Sequence, residues 1–411
     1  MPIERFRFAT PTEFVFGPGC RAELPDRLTG LGAARVLLVT DRGLEATGLV
    51  DPVEEALRAA GIAVTRFVDV KSNPTVDNVD AGASVLREAG ADAVVALGGG
   101  SPIDAAKIMP AVAAGGFSAH DLMTGERRIE RPGVPVIVLP TTAGSGAEAA
   151  KVSVLVDFAT GEKKGVFGPG TAPAITFLDP ELMLGLPRWL TAATGMDALS
   201  HALEAYLGLS ATPFSDGLAE QSMRLVAAHL ERVVADGSDI EARGAMTIAS
   251  AMGGLAKDQS GLGVLHAVAM PIGYLYDLHH GYLCAALMPA TLDANAAAVT
   301  KKTAWVARCF GLDDEGTDDG TDDGVREGLD EGPAEAHRGR DDAEAAAAAR
   351  AGAVIRALNE RIGMGMRLTE AGVKDDDIDR IVTDAMASYL LKNNPVPGSP
   401  DLCRRVLVES L

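Results

Sequence analysis

The sequence predicts a parallel α/β domain followed by an all-helical domain, and three observations support this division. Up to about residue 180, short runs of β-branched and aliphatic residues alternate with helical segments. Beyond that point nearly every segment has a helical period and an alanine-rich composition. With 411 residues, 47% of them hydrophobic, the chain is long enough for two domains. We therefore expect domains over residues 1–180 and 181–411.

The predicted strands of the first domain are short apolar runs bounded by turn residues, which is typical of strands buried on both faces. They follow an extended start at 14–17 and lie at 35–40, 63–68, 91–97, 135–139 and 174–178, with a hairpin at 152–158 and 163–167. Helices are expected between strands at 49–60, 76–89 and 105–114. This alternation predicts a parallel sheet with right-handed crossovers and helices on both faces.

An aspartate follows the first of these strands, at the edge where parallel sheets bind their ligands. The carboxylate of Asp41 could accept hydrogen bonds from an adenosine ribose and repel a 2′-phosphate. An isolated aspartate at a strand end is also often just a helix cap. Both interpretations stay open on the residues alone.

Two further strand ends carry glycines and small hydroxyl residues. One leads into a helix whose first-turn N–H groups would attract phosphate, although such a turn can also serve only tight packing. The other offers hydroxyl donors for phosphate or ribose oxygens. The candidate residues are Gly98, Gly99, Gly100, Ser101 and Asp104 at the first of these ends and Thr141, Thr142 and Ser145 at the second.

A possible metal site begins with Asp197 and His201, which lie four residues apart in a segment without proline or interior glycine. Residues at this spacing share one face of a helix. His266 and His280 follow in a strongly apolar setting. Any one of the seven histidines could be a hydrogen-bonded structural residue, but three histidines and an aspartate together make a plausible site for a divalent cation.

The residues in and around both segments resemble the iron-containing (group III) alcohol dehydrogenase family. The shared pattern is Gly-Met-Asp-Ala-x-x-His-x-x-Glu, which starts here at Gly195, then a histidine at 266 and a His-Gly at 280. The strand ends and Asn73 match as well, so the resemblance covers nearly the whole chain. It implies a Rossmann-like domain that binds NAD rather than NADP, and Fe²⁺, with Zn²⁺ possible, on four ligands: Asp197, His201, His266 and His280.

The same resemblance implies the reaction, the interconversion of a small alcohol and its aldehyde or ketone. Hydride leaves a metal-bound alkoxide for the nicotinamide ring. Lys164 resembles the family's lysine near the nicotinamide ribose, although a hairpin lysine is more usually plain surface.

The chain departs from the family pattern at Met270, where a second histidine usually precedes proline. Methionine cannot relay a proton, so the proton would leave through water or through a group such as His279. Alternatively, Met270 simply fills core space.

Three other functions compete with this one. A hydroxyacid–oxoacid transhydrogenase is the nearest alternative within the family. A glycerol or glycerol-phosphate dehydrogenase-like enzyme of the same superfamily would need several lysines or arginines near the ligands for a phosphorylated substrate, and the sequence offers few there. A nucleotide-binding sensor with a dead site would be favoured if a metal ligand were missing, and none is.

Composition excludes several partners. The net charge of −20 argues against nucleic acid and anionic membrane, and it predicts an acidic surface. The four cysteines lie far apart and indicate neither a disulfide framework nor a thiolate zinc site, which fits a reducing cytosol. We find no signal-peptide core and no spanning run of apolar residues. We expect a cytoplasmic homo-oligomer, most simply a dimer, that acts on a small molecule.

An acidic tract at 312–342 interrupts the second domain. Its composition shifts to Asp, Glu, Gly and Thr, and Thr-Asp-Asp-Gly occurs at 317 and again at 321. The order of carboxylates does not match an EF-hand loop. We expect a mobile, solvated insertion, with helices resuming near Ala343.

Overall fold

The computed structural model describes residues 5–312 and 333–411. These residues form two compact units. The first contains the described residues up to Ala205 together with Ser210–Gly261, and the second contains Tyr206–Leu209 with the described residues from Leu262 onward. The domain boundary expected near residue 180 rested on a change of composition and stays a prediction. The structure groups the next helices, up to Gly261, with the sheet.

Strands of the first unit form one parallel sheet and one antiparallel hairpin. They are β1 Glu13–Phe16, β2 Arg35–Val39, β3 Ala63–Phe67, β4 Ala93–Gly98, β5 Val136–Pro140, β6 Ser153–Asp157, β7 Glu162–Val166 and β8 Ile175–Leu178. The sheet has the order β1-β8-β5-β4-β2-β3, and every pair in it is parallel. Strands β6 and β7 form the hairpin. The predicted α/β class is confirmed.

The first unit contains helices between the strands of the sheet and further helices after its last strand. They are α1 Leu24–Gly30, α2 Arg42–Glu45, α3 Val50–Ala59, α4 Val76–Ala89, α5 Gly100–Gly115, α6 Ala119–Thr124, α7 Arg188–Leu207, α8 Pro213–Ala235 and α9 Ile240–Ser260, of which α7 enters the second unit at Tyr206. Most of the strand and helix bounds lie within a few residues of the predicted ones.

The sheet is buried on both faces because neighbouring residues of its strands enter different cores. Leu37 and Val39 of β2 pack in the core that contains α4 and α5. Leu38, between them, packs in the core that contains α1 and α3. A strand buried on both sides needs apolar residues at every position, which explains the continuous apolar runs in the sequence.

The order of the strands reverses at β2. The chain passes from β2 through α3 to β3 on one side, and then through α4 to β4 on the other side of β2. The loops that follow β2 and β4 therefore diverge and leave a crevice at the carboxyl ends of these strands. Asp41 and Gly98–Gly100 lie at those two ends.

The described residues of the second unit form helices joined by turns and loops, with no β-strand among them. Its helices are α10 Val264–Tyr276, α11 His280–Asn295, α12 Thr300–Cys309, α13 Pro333–Ala349, α14 Ala351–Ile362, α15 Ile378–Met386 and α16 Pro400–Val408. Within 5–312 and 333–411, no helix combines the length and apolarity needed to cross a bilayer.

The helix that follows the acidic tract begins earlier than expected. Residues 313–332, which hold most of the predicted mobile insertion, lie outside the described residues. Helix α13 begins at Pro333 rather than near Ala343, so the expectation was wrong for the last part of the tract. A proline suits the first helical position, and the alanine, glutamate and arginine residues that follow favour a helix despite their polarity.

Candidate active site

The two strand ends at the crevice carry the groups expected for a dinucleotide. Asp41 precedes α2, and its Oδ1 accepts a hydrogen bond from the backbone N–H of Leu44 at 2.9 Å. The carboxylate is therefore a helix cap in this structure, and its role toward a ribose stays a prediction.

Glycines at the end of β4 are required by close packing. Helix α5 begins at Gly100, five residues before the predicted start, so Gly98 ends β4, Gly99 is the N-cap and Gly100 is the first helical residue. A Cβ at Gly98 would lie 2.7 Å from Cγ of Pro102, and one at Gly100 would lie 2.8 Å from Cβ of Ser145. The turn therefore packs closely while Gly100 and Ser101 stand at the N-terminus of a 16-residue helix, where backbone N–H groups attract anions.

Asp104 joins α5 to its surroundings. Its Oδ2 accepts from the N–H of Val154 at 3.1 Å, and its Oδ1 accepts from Lys107 at 3.3 Å. Lys107 is only 1% exposed and also donates to the carbonyl oxygens of Ala147 and Val152, at 3.2 and 2.7 Å. The sequence reasoning overlooked this lysine, which links α5 to the loop after β5 and to the start of β6.

The loop after β5 packs backbone against backbone on two helices of the same unit. A Cβ at Gly144 would lie 2.7 Å from the carbonyl oxygen of Thr194 on α7. Gly146 has a φ of 63°, and a Cβ there would lie 2.5 Å from Cα of Gly254 on α9. Any larger residue would push the loop away. The glycines thus fix the positions of Gly144 and Ser145 relative to α7 and α9.

Thr141 and Thr142 begin this loop beside the β4 turn. The N–H of Thr141 donates to the carbonyl oxygen of Gly98 at 3.0 Å. Oγ1 of Thr142 is the atom nearest to a Cβ built at Gly99, at 3.3 Å. The structure therefore brings the residues expected after β4 and β5 together at one edge of the sheet.

The β6–β7 hairpin places two lysines differently. Lys164 is exposed and donates to Oε2 of Glu162 at 2.8 Å. Lys163 instead donates to Oδ1 of Asn73 at 3.1 Å, and Asn73 has a φ of 57°. The predicted role of Lys164 stays a prediction, while the residue that contacts the Asn73 segment is its neighbour Lys163.

Asp197 and His201 form a buried pair on α7, as their spacing predicts. Oδ1 of Asp197 lies 3.6 Å from Nε2 of His201. Nδ1 of the same imidazole lies 3.1 Å from the carbonyl oxygen of Gly144. Because a carbonyl oxygen can only accept, Nδ1 carries the hydrogen and donates it, which leaves the lone pair on Nε2. The β5 loop therefore orients His201 as a metal ligand needs.

A lysine that the sequence reasoning missed lies against this histidine. Nζ of Lys257, on α9, is 3.0 Å from Nε2 of His201 and donates to the carbonyl oxygen of Ser145 at 2.6 Å. Burial lowers the pKa of this ammonium, and the negative charges of Asp197, Asp104 and Glu148 oppose that shift. The expectation of few cationic residues near the ligands overlooked this one, since a single lysine in a stretch of small residues carries no motif.

Glu148 is a second buried charged group beside the loop. It is 1% exposed, and its Oε1 accepts from the hydroxyl of Ser250 at 2.7 Å. Burial raises the pKa of this carboxyl, and the hydrogen bond from Ser250 only partly offsets the effect.

His266 and His280 form a pair in the second unit. His266 lies in α10, and His280 is the first residue of α11. Their ring centroids are 5.2 Å apart, with an angle of 56° between the planes. Sγ of Cys284, one turn along α11, lies 3.7 Å from Nε2 of His280, a contact that the sequence reasoning did not foresee.

Met270 and His279 lie near these histidines in the chain. Met270 is half-buried and stands one turn after His266 in α10, so both are on the same face of the helix. His279 is exposed and immediately precedes α11. The positions agree with the predicted proximity and leave both roles as predictions.

Both pairs suit a divalent cation by the chemistry of their donors. Imidazole nitrogen and carboxylate oxygen bind iron(II) and zinc alike, and the fixed tautomer of His201 presents the nitrogen that a metal requires. The residues present therefore fit the metal that the sequence implied.

Comparison with known proteins gives the same family over most of the chain. The family model for iron-containing alcohol dehydrogenase matches residues 11–180, and the model for the C-terminal part of the Fe-containing alcohol dehydrogenase family matches residues 191–331. The chain is 36% identical over 388 residues to a protein of Bacillus methanolicus named NAD-dependent methanol dehydrogenase, covering 94% of this chain and 95% of the relative. A 1,3-propanediol dehydrogenase of Klebsiella pneumoniae is 35% identical, with 97% of each chain covered.

Solved structures agree. The fold superposes on the crystal structure of a 1,3-propanediol oxidoreductase with a TM-score of 0.88 at 32% identity, over 99% of this chain and 100% of that one. On these matches the chain belongs to the iron-containing alcohol dehydrogenase family, whose members are oxidoreductases that interconvert alcohols and aldehydes.

Proposed function

We propose that this chain is an NAD-dependent, metal-dependent dehydrogenase of a small alcohol, and that it also runs in the direction of aldehyde or ketone reduction. The observation that carries the proposal is His201, whose Nδ1–H is held by Gly144 so that Nε2 is left as a ligand beside the Asp197 carboxylate.

The proposed ligands are Asp197, His201, His266 and His280, which together could hold one metal ion. Iron(II) and zinc both suit this set. When bound, the cation supplies Lewis acidity that lowers the pKa of the substrate hydroxyl. Asp197 contributes the negative charge that offsets part of the charge of the cation, and the three imidazoles bind as neutral groups.

NAD is proposed to lie along the carboxyl edge of the sheet. The Asp41 carboxylate would bind the adenosine ribose. Only one of its oxygens, Oδ1, accepts the hydrogen bond that caps α2, and the side chain remains half-exposed. The N-terminus of α5 would bind the pyrophosphate. The remaining proposed contacts are Asn73, Gly98, Gly99, Gly100, Ser101, Asp104, Thr141, Thr142, Ser145 and Lys164. The name of the relative from Bacillus methanolicus, NAD-dependent methanol dehydrogenase, supports this choice of cofactor.

The proton of the alcohol must leave without a histidine at position 270. We propose that Met270 makes the wall near His266 apolar, and that water or the exposed His279 carries the proton to solvent. Hydride transfer itself needs no protein base, so dehydrogenase chemistry is compatible with this substitution.

We further propose a cytoplasmic homodimer with an acidic surface and no nucleic-acid or membrane partner. In support of a reducing compartment, the thiols of the four described cysteines are free: Cys20, Cys284, Cys309 and Cys403. For the dimer, β1 is an edge strand of the sheet that the described residues form, and Phe6 and Phe214, whose ring centroids are 5.5 Å apart, are exposed at 45% and 57%. Light scattering after gel filtration measures the oligomeric state directly.

The test of the proposed function combines metal content with turnover. Protein reconstituted with iron(II) or with zinc is assayed for NADH formation on alcohols, diols and hydroxy acids. His266→Ala and His280→Ala should each lose metal and turnover together, because removing one of four ligands opens the coordination shell. Undiminished metal and full activity in either variant would refute the ligand assignment. Turnover that requires an added oxo acid, with free NAD ineffective, would instead indicate the transhydrogenase.

A further inference from the structure

Helix α10, which carries His266, begins without a side-chain cap. Its first residue is Val264 and its third is His266, and the residue before it, Gly263, has no side chain to accept a hydrogen bond from the first N–H groups. The N–H of Val264 instead donates to Oδ1 of Asn394 at 3.2 Å. The turn that holds His266 is therefore fixed by a side chain 130 positions further along the chain than Val264.

The side chain of Asn394 has only one orientation that satisfies its surroundings. It forms a reciprocal amide pair with Asn295, the last residue of α11. Nδ2 of Asn394 donates to Oδ1 of Asn295 at 2.8 Å, and Oδ1 accepts from Nδ2 of Asn295 at 3.4 Å. Nδ2 also donates to the carbonyl oxygen of Val396 at 2.8 Å. Rotating the amide by 180° would turn an N–H toward the N–H of Val264, so the acceptor stays where α10 needs it.

Asn295 is satisfied in the same way. Its Nδ2 donates to the carbonyl oxygen of Thr291 at 3.0 Å, and its Oδ1 accepts from the N–H of Val396 at 3.3 Å. Asn295 and Asn394 are 1% and 2% exposed, and each donor and acceptor of the two amides has a partner. A buried network that is fully satisfied is rigid, so Asn394 offers α10 a fixed point.

The neighbouring Asn393 holds the other side of Gly263. Its Nδ2 donates to the carbonyl oxygen of Leu262 at 3.1 Å. Two adjacent asparagines thus hold the backbone at the carbonyl before Gly263 and at the N–H after it. We call Asn295, Asn393 and Asn394 the asparagine clamp.

The placement of His266 depends on this clamp. Val264 and His266 lie within a single helical turn, so a shift of the first moves the imidazole of the second. The ring centroids of His266 and His280 are 5.2 Å apart, and a metal site tolerates ligand displacements of only about 0.5 Å. A leucine in place of Asn394 would fill a similar volume but leave the N–H of Val264 without its acceptor.

From this geometry, and resting on the proposed function, we propose that Asn394 is a positioning residue of the metal site. Through the N–H of Val264 it sets the first turn of α10, and so the point from which His266 meets the cation. Asn295 and Asn393 support this role by holding Asn394 and Leu262. Asn394 itself is assigned no contact with the metal or the substrate.

The test uses Co²⁺, whose visible absorption changes with the number and geometry of its ligands. Metal-free wild type and Asn394→Leu are loaded with Co²⁺ alone, and the dissociation constants are measured by competition with a chelator. Asn394→Leu should bind Co²⁺ about 10- to 100-fold more weakly, the range found when a group that orients a ligand is removed. The absorption of the loaded variant should also differ from that of the wild type.

Asn359→Leu is the matched control. Asn359 is buried in the same unit, and its Nδ2 donates to the carbonyl oxygen of Ala285 on α11 rather than to α10. This variant should lose a comparable amount of thermal stability but keep the wild-type affinity and absorption. Equal Co²⁺ affinity in the wild type and Asn394→Leu, or an equal loss of affinity in both variants, overturns the proposal. Asn394→Ala and Asn359→Ala remove the same amides and replace the leucine variants if either does not fold.

Asn394→Asp tests which part of the amide matters. The aspartate keeps an oxygen for the N–H of Val264 and loses the two hydrogen bonds that Nδ2 donates. It should be less stable than the wild type yet keep the wild-type absorption of bound Co²⁺, because the turn of α10 stays in place. An absorption as altered as that of Asn394→Leu overturns the role of the acceptor.

Amide hydrogen exchange in the metal-free protein separates this proposal from the proposed function. In Asn394→Leu the amides of residues 264–268 should exchange about 2- to 10-fold faster, the equivalent of one hydrogen bond, with little change elsewhere in α10. A wild type that binds no Co²⁺ refutes the proposed function. Faster exchange confined to this turn then still supports the placement of His266 by Asn394, and unchanged exchange overturns it. A wild type that binds Co²⁺ and oxidises alcohols, with unchanged affinity in Asn394→Leu, overturns the proposal alone.

Discussion

Replacing Gly254 by alanine tests whether the β5 loop depends on backbone contact with α9. A Cβ at this position would lie 2.6 Å from the carbonyl oxygen of Gly146 and 2.7 Å from its Cα. Both are backbone atoms, so no flexible side chain can move aside. Overpacking of this kind costs about 1–3 kcal/mol, and we expect the upper end. Alanine also gains about 1 kcal/mol over glycine in a helix, so Gly254→Ala should destabilise by about 2 kcal/mol overall.

Gly217→Ala is the matched control, because Gly217 lies in α8 and, apart from its chain neighbours and the backbone of its own helix, no atom of the described residues lies within 4 Å of a Cβ built there. This variant should be stabilised by about 1 kcal/mol through helix propensity alone. The difference between the two variants, about 3 kcal/mol, is measured from denaturant midpoints at constant slope. Gly254→Ala should also retain less metal, since the displaced loop carries the Gly144 carbonyl that orients His201. If Gly254→Ala unfolds at the same midpoint as the wild type or a higher one, the loop is not held by this contact.

Three further predictions concern single groups. Asp41→Gly should improve kcat/KM with NADP relative to NAD by removing repulsion of the 2′-phosphate, and an unchanged cofactor ratio would leave Asp41 as the cap of α2 only. Burial raises the pKa of Glu148 above its ordinary value, so the folded protein holds this proton at a higher pH than the unfolded chain does, and stability is lost as the pH rises above the pKa of the unfolded chain. Glu148→Gln should therefore gain stability over the wild type between about pH 5 and pH 8, whereas a constant difference would show an ionised carboxylate. Met270→His should add an ionisation to the pH profile of turnover between about pH 6 and 8, and an unchanged profile in a folded, metal-loaded variant would place residue 270 outside the site.

The fold was predictable because its signals are local. The strand at 35–40 could be read from one apolar run, and the helix at 76–89 from its period, since a doubly covered parallel sheet demands such runs. The pair of Asp197 and His201 followed from a spacing of four residues on a helix. The start of α5 was missed because three glycines read as a loop, whereas close packing against Pro102 and Ser145 permits only glycine in this turn.

The contacts that orient the site could not be predicted from the sequence, because they join segments that lie far apart in the chain. Lys257 meets His201 across 56 positions of the chain, and the Gly144 carbonyl meets it across 57. Neither contact leaves a local pattern, since one partner is a backbone oxygen and the other an isolated lysine. Lys163 and Lys164 are adjacent and chemically identical, so only the register of the β6–β7 hairpin decides which of them meets Asn73.

Because Lys107 is buried, chemical labelling of its amino group can report how often the surrounding structure opens. Its three hydrogen bonds and its 1% exposure hide Nζ from solvent, whereas Lys164 on the hairpin is exposed. An acylating reagent can therefore modify Lys164 in the native protein but reaches Lys107 only when α5 separates from the β5 loop. The labelling rate of Lys107, followed by mass spectrometry, would measure how often the nucleotide edge of the sheet opens. Bound NAD should slow the labelling of Lys107 by the same factor by which NAD binding shifts the equilibrium toward the closed form.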